Sequence, residues 1–452
     1  MRKYFGTDGI RRIANTELTP DLVFRVAKAG AYVLSKHSEH TPTILIGRDT
    51  RISGTLIESA MTSGFLSYGA NVKLLGVMPT PAVAYLTKKL NADASVVISA
   101  SHNTFEFNGV KYFSNKGMKI SDEIEEEIEE IMDSEKLSTL TAVGDKIGTY
   151  EIENKYLDEY VNFFVDLFGD SFKDLKFKVA IDTANGATYD VAEKVFTKLG
   201  IEHKIICNNP DGININDKCG STYLSNISDY VVKNKFDIGI AYDGDGDRCL
   251  AVDENGEVID GDIIMAIISK YLKSENKLKK DTVVATVMSN LGLNKYSENN
   301  NIGLIQTKVG DRYVLEEMLN NDYNFGGEQS GHVIMLDYNP TGDGILTSLM
   351  LLKSILNENK KVSEVKRIIN IYPQVLINAK VLADKKYDYE KDEEVQKEIK
   401  SLEEEFSGNG RVLIRPSGTE PKVRVMIEGA DKEYITEKAQ KLADLIEKKL
   451  GK

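Results

Sequence analysis

The chain has 452 residues, of which 41% are hydrophobic and 28% charged, so it is a globular chain too long for one core and predicts about two to four domains. Its net charge of −13 argues against a nucleic-acid surface, which needs a basic stripe, and no apolar run reaches the ~18 residues of a membrane span. Cys207, Cys219 and Cys249 have no CxxC spacing and fit neither a disulfide framework nor a zinc site, so we expect a cytoplasmic protein without nucleic-acid or membrane partners.

The apolar pattern then divides most of the chain into three similar units. A short apolar strand, a polar or glycine turn, an amphipathic helix and a second strand follow one another three times, which predicts three α/β domains. The first strands of these units are predicted at residues 43–49, 177–182 and 282–288, and two of the helices at 55–68 and 291–298. Gly69 and Gly200 follow the first two helices, where glycine is a common stop signal.

After about residue 368 the order of the elements changes. A strand, a long charged helix at 388–406, two strands and a terminal helix follow, which predicts a smaller C-terminal α+β domain. The predicted domains are residues 1–150, 151–256, 257–367 and 368–452.

The acidic segment DEIEEEIEE stands out for its charge. Ile124, Ile128 and Ile131 recur in it at helical spacing. The pattern predicts a solvated helix that covers one apolar stripe, and it indicates no function.

The first segment that suggests chemistry is VVISASHN, in which an apolar strand ends in small and polar residues. Ser101 at such a strand end is predicted to be exposed at the carboxyl edge of an α/β sheet, where these folds bind ligands. Adjacent Ser101 and His102 suggest a hydrolase triad, but neighbours in an extended segment point to opposite faces and no GxSxG elbow is present. Taken alone, the segment is an ordinary polar turn.

The second segment is YDGDGDR, which follows the apolar run FDIGIA. Asp243, Asp245 and Asp247 alternate with glycines, so three carboxylates can converge on one hard cation such as Mg²⁺ or Mn²⁺. Glu254 falls at the twelfth position of a calcium loop, but Arg248 occupies its glycine position and a strand precedes it. A solvated acidic turn is the other alternative, disfavoured because crowded carboxylates repel one another without a cation.

Two later loops carry groups that bind rather than react. GGEQSGH places Glu328 and Ser330 between glycines, a combination that suits diol recognition but also a tight turn. RPSGTEPKVR supplies guanidinium, hydroxyl and backbone donors that suit a phosphate held in place, and it lacks the ending of a Walker P-loop. The alternative for this second loop is an ordinary turn between strands. Its candidate phosphate-binding residues are Arg415, Ser417, Gly418, Thr419 and Arg424.

Together and in this order, the four segments resemble the α-D-phosphohexomutase superfamily over essentially the whole chain. The resemblance implies three α/β domains with mixed sheets and a smaller α+β domain around a central active-site cleft. It implies that Ser101 is the phosphoserine, that Glu328 and Ser330 bind sugar hydroxyls, and that the loop at 415–424 holds the phosphate that does not react. One Mg²⁺ per chain is implied, with the ligands Ser101, Asp243, Asp245 and Asp247.

The resemblance also implies a mechanism. Phospho-Ser101 transfers its phosphoryl group to the sugar phosphate, and the resulting sugar 1,6-bisphosphate, which is also the activator, turns around and returns its other phosphoryl group to Ser101. Arg248 and His102 are then expected to offset negative charge. Arg11 and Lys111 are candidates for supplying positive charge and handling protons near Ser101.

The opening RKYFGTDGIRR, the segment GRDTRISG and Gln329 resemble the members that interconvert glucosamine 6-phosphate and glucosamine 1-phosphate for amino-sugar nucleotide and cell-wall precursor synthesis. The alternatives are glucose or mannose phosphate as substrate, a hydrolase that uses Ser101, and a sugar-phosphate sensor without catalysis. Thr104 stands where the family pattern has proline and Arg12 where it has glycine, and neither change removes a reacting group. A monomer or homodimer is expected.

Overall fold

The computed structural model describes residues 3–6, 8–36, 38–152, 155–417 and 420–451. The chain forms two compact units. The first consists of Met1–Val287 and Gly303–Arg367, and the second of Met288–Ile302 and Ile368–Lys452. Among the described residues, no helix combines the length and the apolar character needed to cross a membrane.

The first sheet of the first unit is mixed. Its strands are β1 (Ile10–Ile13), β2 (Thr43–Arg48), β3 (Asn71–Val77), β4 (Ala94–Ile98), β5 (Phe107–Ser114) and β6 (Tyr150–Ile152). They lie in the order β1-β5-β4-β2-β3-β6. Strand β2 is parallel to β3 and β4, whereas β5 is antiparallel to β1 and β4. The helices in this part of the chain are α1 (Pro20–Ser35), α2 (Gly54–Tyr68), α3 (Thr80–Lys89), α4 (Asp122–Asp133), α5 (Lys136–Thr139) and α6 (Lys155–Phe168).

Local sequence signals set the ends of the first two helices, α1 and α2, which pack on each other. The Thr19 hydroxyl accepts a hydrogen bond from the N–H of Leu22 at 3.3 Å, and Pro20 occupies the first turn of α1, where its missing N–H costs nothing. Helix α2 ends at Gly69, whose φ of 104° lies in the left-handed region that favours glycine. The predicted stop at Gly69 is confirmed.

The acidic helix α4 is not solvated along its whole polar face. Ile128 is buried and Ile124 and Ile131 are partly buried, as the predicted apolar stripe requires. Glu129 is buried too, and its carboxylate accepts the backbone N–H groups of residues 3–5 at 2.6–2.7 Å. This acidic side chain therefore fixes the opening segment of the chain.

The second sheet repeats the mixed arrangement. Its strands are β7 (Val179–Asp182), β8 (His203–Ile206), β9 (Ile238–Tyr242), β10 (Cys249–Asp253) and β11 (Val258–Ile259), and the helices between them are α7 (Tyr189–Lys198) and α8 (Ser225–Asn234). The order is β11-β10-β9-β7-β8. Strand β7 is parallel to β8 and β9, and β10 is antiparallel to β9. The parallel strands bring their carboxyl ends to one edge, where the aspartate loop follows β9.

The third sheet completes the first unit. Its strands are β12 (Thr282–Thr286), β13 (Gly303–Thr307), β14 (Phe325–Gly327), β15 (Val333–Met335) and β16 (Asn339–Gly342). They lie in the order β13-β12-β14-β15-β16, with β12 parallel to both neighbours and the later pairs antiparallel. The accompanying helices are α9 (Gly261–Ser274), α11 (Asp311–Asn320), α12 (Gly344–Glu358) and α13 (Val362–Val365).

The second unit is a small α+β structure. Its elements are α10 (Leu291–Asn299), β17 (Gln374–Lys380), α14 (Glu393–Phe406), β18 (Gly410–Pro416), β19 (Lys422–Gly429) and α15 (Lys432–Leu450). The strands form an antiparallel sheet in the order β17-β19-β18. The charged helix predicted from residue 388 begins only at Glu393, because the Asp392 carboxylate accepts the N–H groups of Glu394 and Val395 and caps the helix there.

The observed architecture confirms the predicted fold class of three mixed α/β sheets followed by a smaller α+β region. The predicted domain boundaries after residues 150, 256 and 367 stay predictions.

Candidate active site

The loop after β9 depends on two glycines. Gly246 has a φ of 72°, in the region that favours glycine. At Gly244 a Cβ would lie 2.6 Å from the carbonyl oxygen of Ser101 and 2.7 Å from Nδ2 of Asn216. The aspartate loop therefore turns sharply and packs directly against the segment that carries Ser101.

Asp243, Asp245 and Asp247 form a buried cluster in this loop. One carboxylate oxygen from each lies within 4.8 Å of the others. Burial and the charges of Asp247 and Asp245 raise the pKa of Asp243 well above its usual range. Oδ1 of Asp245 and Oδ1 of Asp247 are buried and have no hydrogen-bond partner within the described ranges. Unpaired carboxylate oxygens of this kind fit an oxygen-preferring divalent cation such as Mg²⁺.

Ser101 lies against this cluster. Its Oγ donates a hydrogen bond to Oδ2 of Asp243 at 2.7 Å, and its backbone has a φ of 48°. The exposure predicted from the sequence was wrong, because the aspartate loop covers Ser101 and leaves it only 2% exposed. A non-glycine residue held at positive φ is strained, and such strain is common at functional sites.

Arg51 holds the Ser101 segment from its buried side. Its Nε donates to Oδ2 of Asp49 at 2.8 Å, and neither side chain has any solvent exposure. The guanidinium also donates to the carbonyl oxygens of Ser101 at 3.0 Å, Asn103 at 2.8 Å and Phe107 at 3.0 Å. One planar cation thus binds several carbonyls of the same loop, a geometry that lysine lacks.

Two further side chains support the same loop. Asn216, from the loop after β8, donates its amide to the carbonyl oxygens of Ser101 at 2.8 Å and Asn103 at 2.9 Å. The Ser99 hydroxyl accepts the N–H of Ser101 at 2.9 Å and donates to Asp49 at 2.6 Å. Sequence reasoning missed all of these positioning residues. Asp49 and Arg51, which follow a buried strand directly in the segment GRDTR, were a usable signal.

The two departures from the family pattern leave this support intact. Thr104 contributes its carbonyl oxygen to Arg51, and a proline in that position also has a carbonyl oxygen. Arg12 donates to the carbonyl of Lys3 at 3.0 Å, so its guanidinium bonds the opening segment.

Lys111, which the sequence analysis predicted to supply positive charge near Ser101, is a buried cation beside the aspartate cluster. Its Nζ lies 3.0 Å from Oδ2 of Asp245 and 3.0 Å from Oδ2 of Asp8. Burial lowers the pKa of Lys111, but Asp245 and Asp8 raise it more, and the net direction is upward. Lys111 is therefore protonated at neutral pH, which suits charge compensation and does not suit the role of proton acceptor.

Asp8 is a centre of ion pairs that sequence reasoning missed. It pairs with Arg11 at 2.8 Å, with Lys111, and with Lys119 at 2.6 Å. Burial alone would raise the pKa of Asp8, but these cations bring it well below its usual range. Lys119 also pairs with Asp311 at 2.6 Å and so connects the first sheet with α11 beside the third. Arg11 reaches Oδ1 of Asn103 at 3.3 Å.

His102 and Arg248, the two residues predicted to offset negative charge, differ in their protonation. Burial, and next Arg248 and Arg11, lower the pKa of His102 to about 4. His102 is therefore neutral at pH 7 in the unphosphorylated chain, and its predicted role as a positive charge is not supported in this form. The Arg248 guanidinium lies beside the cluster, with Nε 3.9 Å from Oδ1 of Asp247.

The predicted sugar loop lies next to the aspartate cluster. His332 places Nδ1 3.5 Å from Oδ2 of Asp247. Glu328 accepts the N–H of Gly310 at 3.2 Å, and burial raises the pKa of its carboxyl group. The hydroxyl of Ser330 is buried without a hydrogen-bond partner in the described part of the chain. The Glu328 carboxyl group and the unpaired Ser330 hydroxyl therefore offer hydrogen-bond donors and acceptors to a polar ligand.

The predicted phosphate loop belongs to the second unit. Arg415 and Arg424 face each other across β18 and β19, and burial together with Arg424 lowers the pKa of Arg415. Nε of each is buried and has no hydrogen-bond partner among the residues that the structure describes. Ser417 is buried, and its carbonyl accepts Nζ of Lys386 at 2.6 Å. Opposed like charges are unfavourable, and an anion would offset them. The predicted residues Gly418 and Thr419 lie outside the described residues.

Family models match four successive regions of the chain. They describe phosphoglucomutase/phosphomannomutase alpha/beta/alpha domains I, II and III and the C-terminal domain, at residues 2–139, 154–256, 260–372 and 376–445. Among solved structures, a phosphoglucomutase/phosphomannomutase family protein of Burkholderia thailandensis has a TM-score of 0.79 at 21% identity, covering 98% of this chain and 97% of that one. An Aspergillus fumigatus N-acetylphosphoglucosamine mutase, solved with GlcNAc-6P and magnesium, has a TM-score of 0.66 at 18% identity, covering 98% and 95%. At these identities the likeness shows the fold.

Curated relatives are much more similar in sequence. A phosphoglucosamine mutase of Ruminiclostridium cellulolyticum is 54% identical over 451 residues, covering 100% of both chains. One of Acetivibrio thermocellus is 53% identical over 454 residues, again covering 100% of both. Together with the four family matches, this similarity over the full length shows that the chain belongs to the phosphoglucosamine mutase family, a group of isomerases within the phosphoglucomutase/phosphomannomutase superfamily.

Proposed function

We propose that this chain interconverts glucosamine 6-phosphate and glucosamine 1-phosphate through a phosphoserine at Ser101. The observation that carries the proposal is the 2.7 Å hydrogen bond between Ser101 Oγ and Asp243 in a buried carboxylate cluster. The 54% identity with a curated phosphoglucosamine mutase over the whole chain supports the choice of sugar.

The proposed ligands of one Mg²⁺ per chain are Ser101, Asp243, Asp245 and Asp247. When bound, Mg²⁺ supplies charge compensation for a phosphoryl group in transfer. The orphaned oxygens of Asp245 and Asp247 support this assignment. Lys111 adds a fixed positive charge beside the same carboxylates.

The chain contributes to transfer mainly by positioning. Arg51 and Asn216 both bind the carbonyl oxygen of Ser101, so they fix the residue from which the phosphoryl group departs. Arg11 and Arg248 supply positive charge near this segment. Glu328 and Ser330 are proposed to bind sugar hydroxyls. The loop at 415–424 is proposed to hold the phosphate that does not react, a role favoured by its two half-buried arginines, Arg415 and Arg424.

The proposed reaction has two transfers. The bond between phosphorus and Ser101 Oγ breaks as the phosphoryl group passes to the 1-hydroxyl of glucosamine 6-phosphate, which gives the 1,6-bisphosphate. The bisphosphate turns around, and its 6-phosphoryl group returns to Ser101, which leaves glucosamine 1-phosphate. We further propose that the chain acts in the cytoplasm as a monomer or homodimer without nucleic-acid or membrane partners. Its net charge of −13 supports the exclusion of nucleic acid.

The test compares kcat/KM for glucosamine, glucose and mannose phosphates on one preparation with the same bisphosphate activation. The ammonium at carbon 2 gives a matched pocket about 1–3 kcal/mol of discrimination, or roughly fivefold to 160-fold. A value for glucose or mannose phosphate that equals or exceeds that for glucosamine phosphate would contradict the proposed sugar and favour a phosphoglucomutase/phosphomannomutase activity. Steady release of inorganic phosphate would instead identify a hydrolase.

A further inference from the structure

Three side chains that can bind a metal meet at the carboxyl end of the second sheet. Asp182 is the last residue of β7, and Cys207 follows the end of the parallel strand β8. Asp182 pairs with Ile206, so Cys207 lies one position beyond it at the same edge. Cys219 comes from the loop that follows. The sequence spacing of these cysteines gave no sign of the grouping.

The three groups are close enough to share one ion. One oxygen of Asp182 and the sulfur atoms of Cys207 and Cys219 all lie within 4.8 Å of one another. Ligand atoms around a tetrahedral zinc ion lie roughly 3–4 Å apart, given bond lengths of ~2.0–2.3 Å, so small side-chain movements complete the geometry. Asp182 and Cys219 are buried, whereas Cys207 is half-buried and opens the group to solvent.

The surroundings already orient the ligands. Nδ2 of Asn226 lies 3.3 Å from Oδ2 of Asp182 and 3.2 Å from the sulfur of Cys207. Oδ1 of Asp182 accepts the N–H of Ala184 at 2.9 Å. The backbone of Gly220 also hydrogen-bonds this carboxylate. A carboxylate has about four lone-pair sites, so these three bonds leave one for a metal. Hydrogen bonds to the ligating atoms are the usual outer support of a metal site.

We propose that Asp182, Cys207 and Cys219 bind a thiophilic divalent cation such as Zn²⁺, with water in the fourth position. Two thiolates and one carboxylate suit zinc, whereas Mg²⁺ prefers oxygen ligands alone. Both thiols lose their protons to solvent when the ion binds. The site is distinct from the cluster of three aspartates and does not depend on the proposed mutase activity.

The position of the site gives it a structural consequence. Cys207 is the first residue of the loop between β8 and α8, and Cys219 lies further along the same loop. Asn216 lies between them, and its amide binds the carbonyl oxygen of Ser101. A metal that binds both cysteines closes the loop segment between them and restricts its movement.

The test uses Co²⁺ as a spectroscopic probe on the full-length chain, stripped with a chelator and kept reduced with a phosphine. Excess Mg²⁺ is present to fill the cluster of three aspartates. We expect a cobalt–thiolate charge-transfer band in the near ultraviolet that saturates at one equivalent and disappears when Zn²⁺ is added. Cys207→Ser and Cys219→Ser should lose the band. Asn226→Ala should weaken Co²⁺ binding about tenfold to a hundredfold.

Two matched controls should keep the band in full. Cys249→Ser removes the third cysteine, and Asp245→Ala removes a ligand of the all-oxygen cluster, which has no thiolate. Circular dichroism of each metal-free variant checks folding. If Cys219→Ser fails to fold, the Cys207→Ser variant decides the outcome, because Cys207 is only half-buried. Absence of the band in the wild-type chain, or its persistence in Cys207→Ser, would overturn the proposal.

Discussion

Arg51→Met tests whether the buried pair with Asp49 supports the Ser101 segment. Asp49 and Arg51 have no side-chain exposure, and the substitution leaves a buried carboxylate without its cation. Breaking a buried pair from one side costs about 3–5 kcal/mol. The first unit comprises Met1–Val287 and Gly303–Arg367, and an unfolding entropy of about 2.1 cal/mol/K per residue gives it a shift of about 1.4 °C per kcal/mol. The first thermal transition should therefore fall by about 4–7 °C.

The matched control is Arg25→Met. Arg25 pairs with Asp133, and their side chains are 33% and 42% exposed, so the loss should not exceed about 1 kcal/mol. Calorimetry at neutral pH measures both variants. Adding Asp49→Asn to Arg51→Met should recover part of the loss. A decrease for Arg51→Met no larger than that of the control would refute the reasoning.

The same variant should respond to pH in a defined direction. Burial raises the pKa of Asp49 even beside Arg51, and removal of the cation raises it further. A carboxyl group whose pKa is higher in the folded than in the unfolded state destabilises the folded state least when it is protonated. The loss in free energy of unfolding caused by Arg51→Met should therefore become smaller as the pH falls. A loss that becomes larger on acidification would contradict this assignment.

Three further predictions concern the reaction. Ser101→Ala should abolish turnover while the chain remains folded by circular dichroism, because alanine cannot carry a phosphoryl group; near-wild-type activity would rule out the phosphoserine. Chelation should abolish activity and Mg²⁺ restore it, whereas Asp245→Ala should resist rescue by ordinary Mg²⁺ concentrations; full activity in excess chelator would remove the metal from the account. Asn216→Ala should lower kcat about tenfold to a hundredfold with little change in KM, because it displaces the Ser101 segment. Asn214→Ala in the same loop serves as its control, and equal kcat values for the two variants would show that Asn216 does not position Ser101.

Signals within short stretches of sequence predicted much of the fold. The helix stop at Gly69 depends on a conformation of one residue, and the alternation of aspartates and glycines after an apolar strand limits the loop to a few shapes. The grouping of Asp243, Asp245 and Asp247 followed from the same local pattern. The late start of α14 shows the limit of periodicity, because the cap at Asp392 set the boundary.

The supporting contacts of the site were beyond local reasoning. Asp8, Lys119 and Asp311 meet only because three distant segments fold together. Asn216 reaches the Ser101 segment from the loop after β8, and no spacing in the sequence encodes that approach. The burial of Ser101 likewise depends on the close packing of Gly244.

The most direct test of the central claim follows one phosphoryl group. The chain is phosphorylated with isotopically labelled glucosamine 1,6-bisphosphate, freed of ligand, and mixed with unlabelled glucosamine 6-phosphate before peptide mapping by mass spectrometry. The account predicts one labelled phosphoryl group on Ser101 before mixing, and after mixing the label on the sugar phosphate with an unlabelled phosphoryl group in its place on Ser101. A phosphoryl group on another residue, a label that stays on Ser101, or a label that leaves as inorganic phosphate would contradict the account.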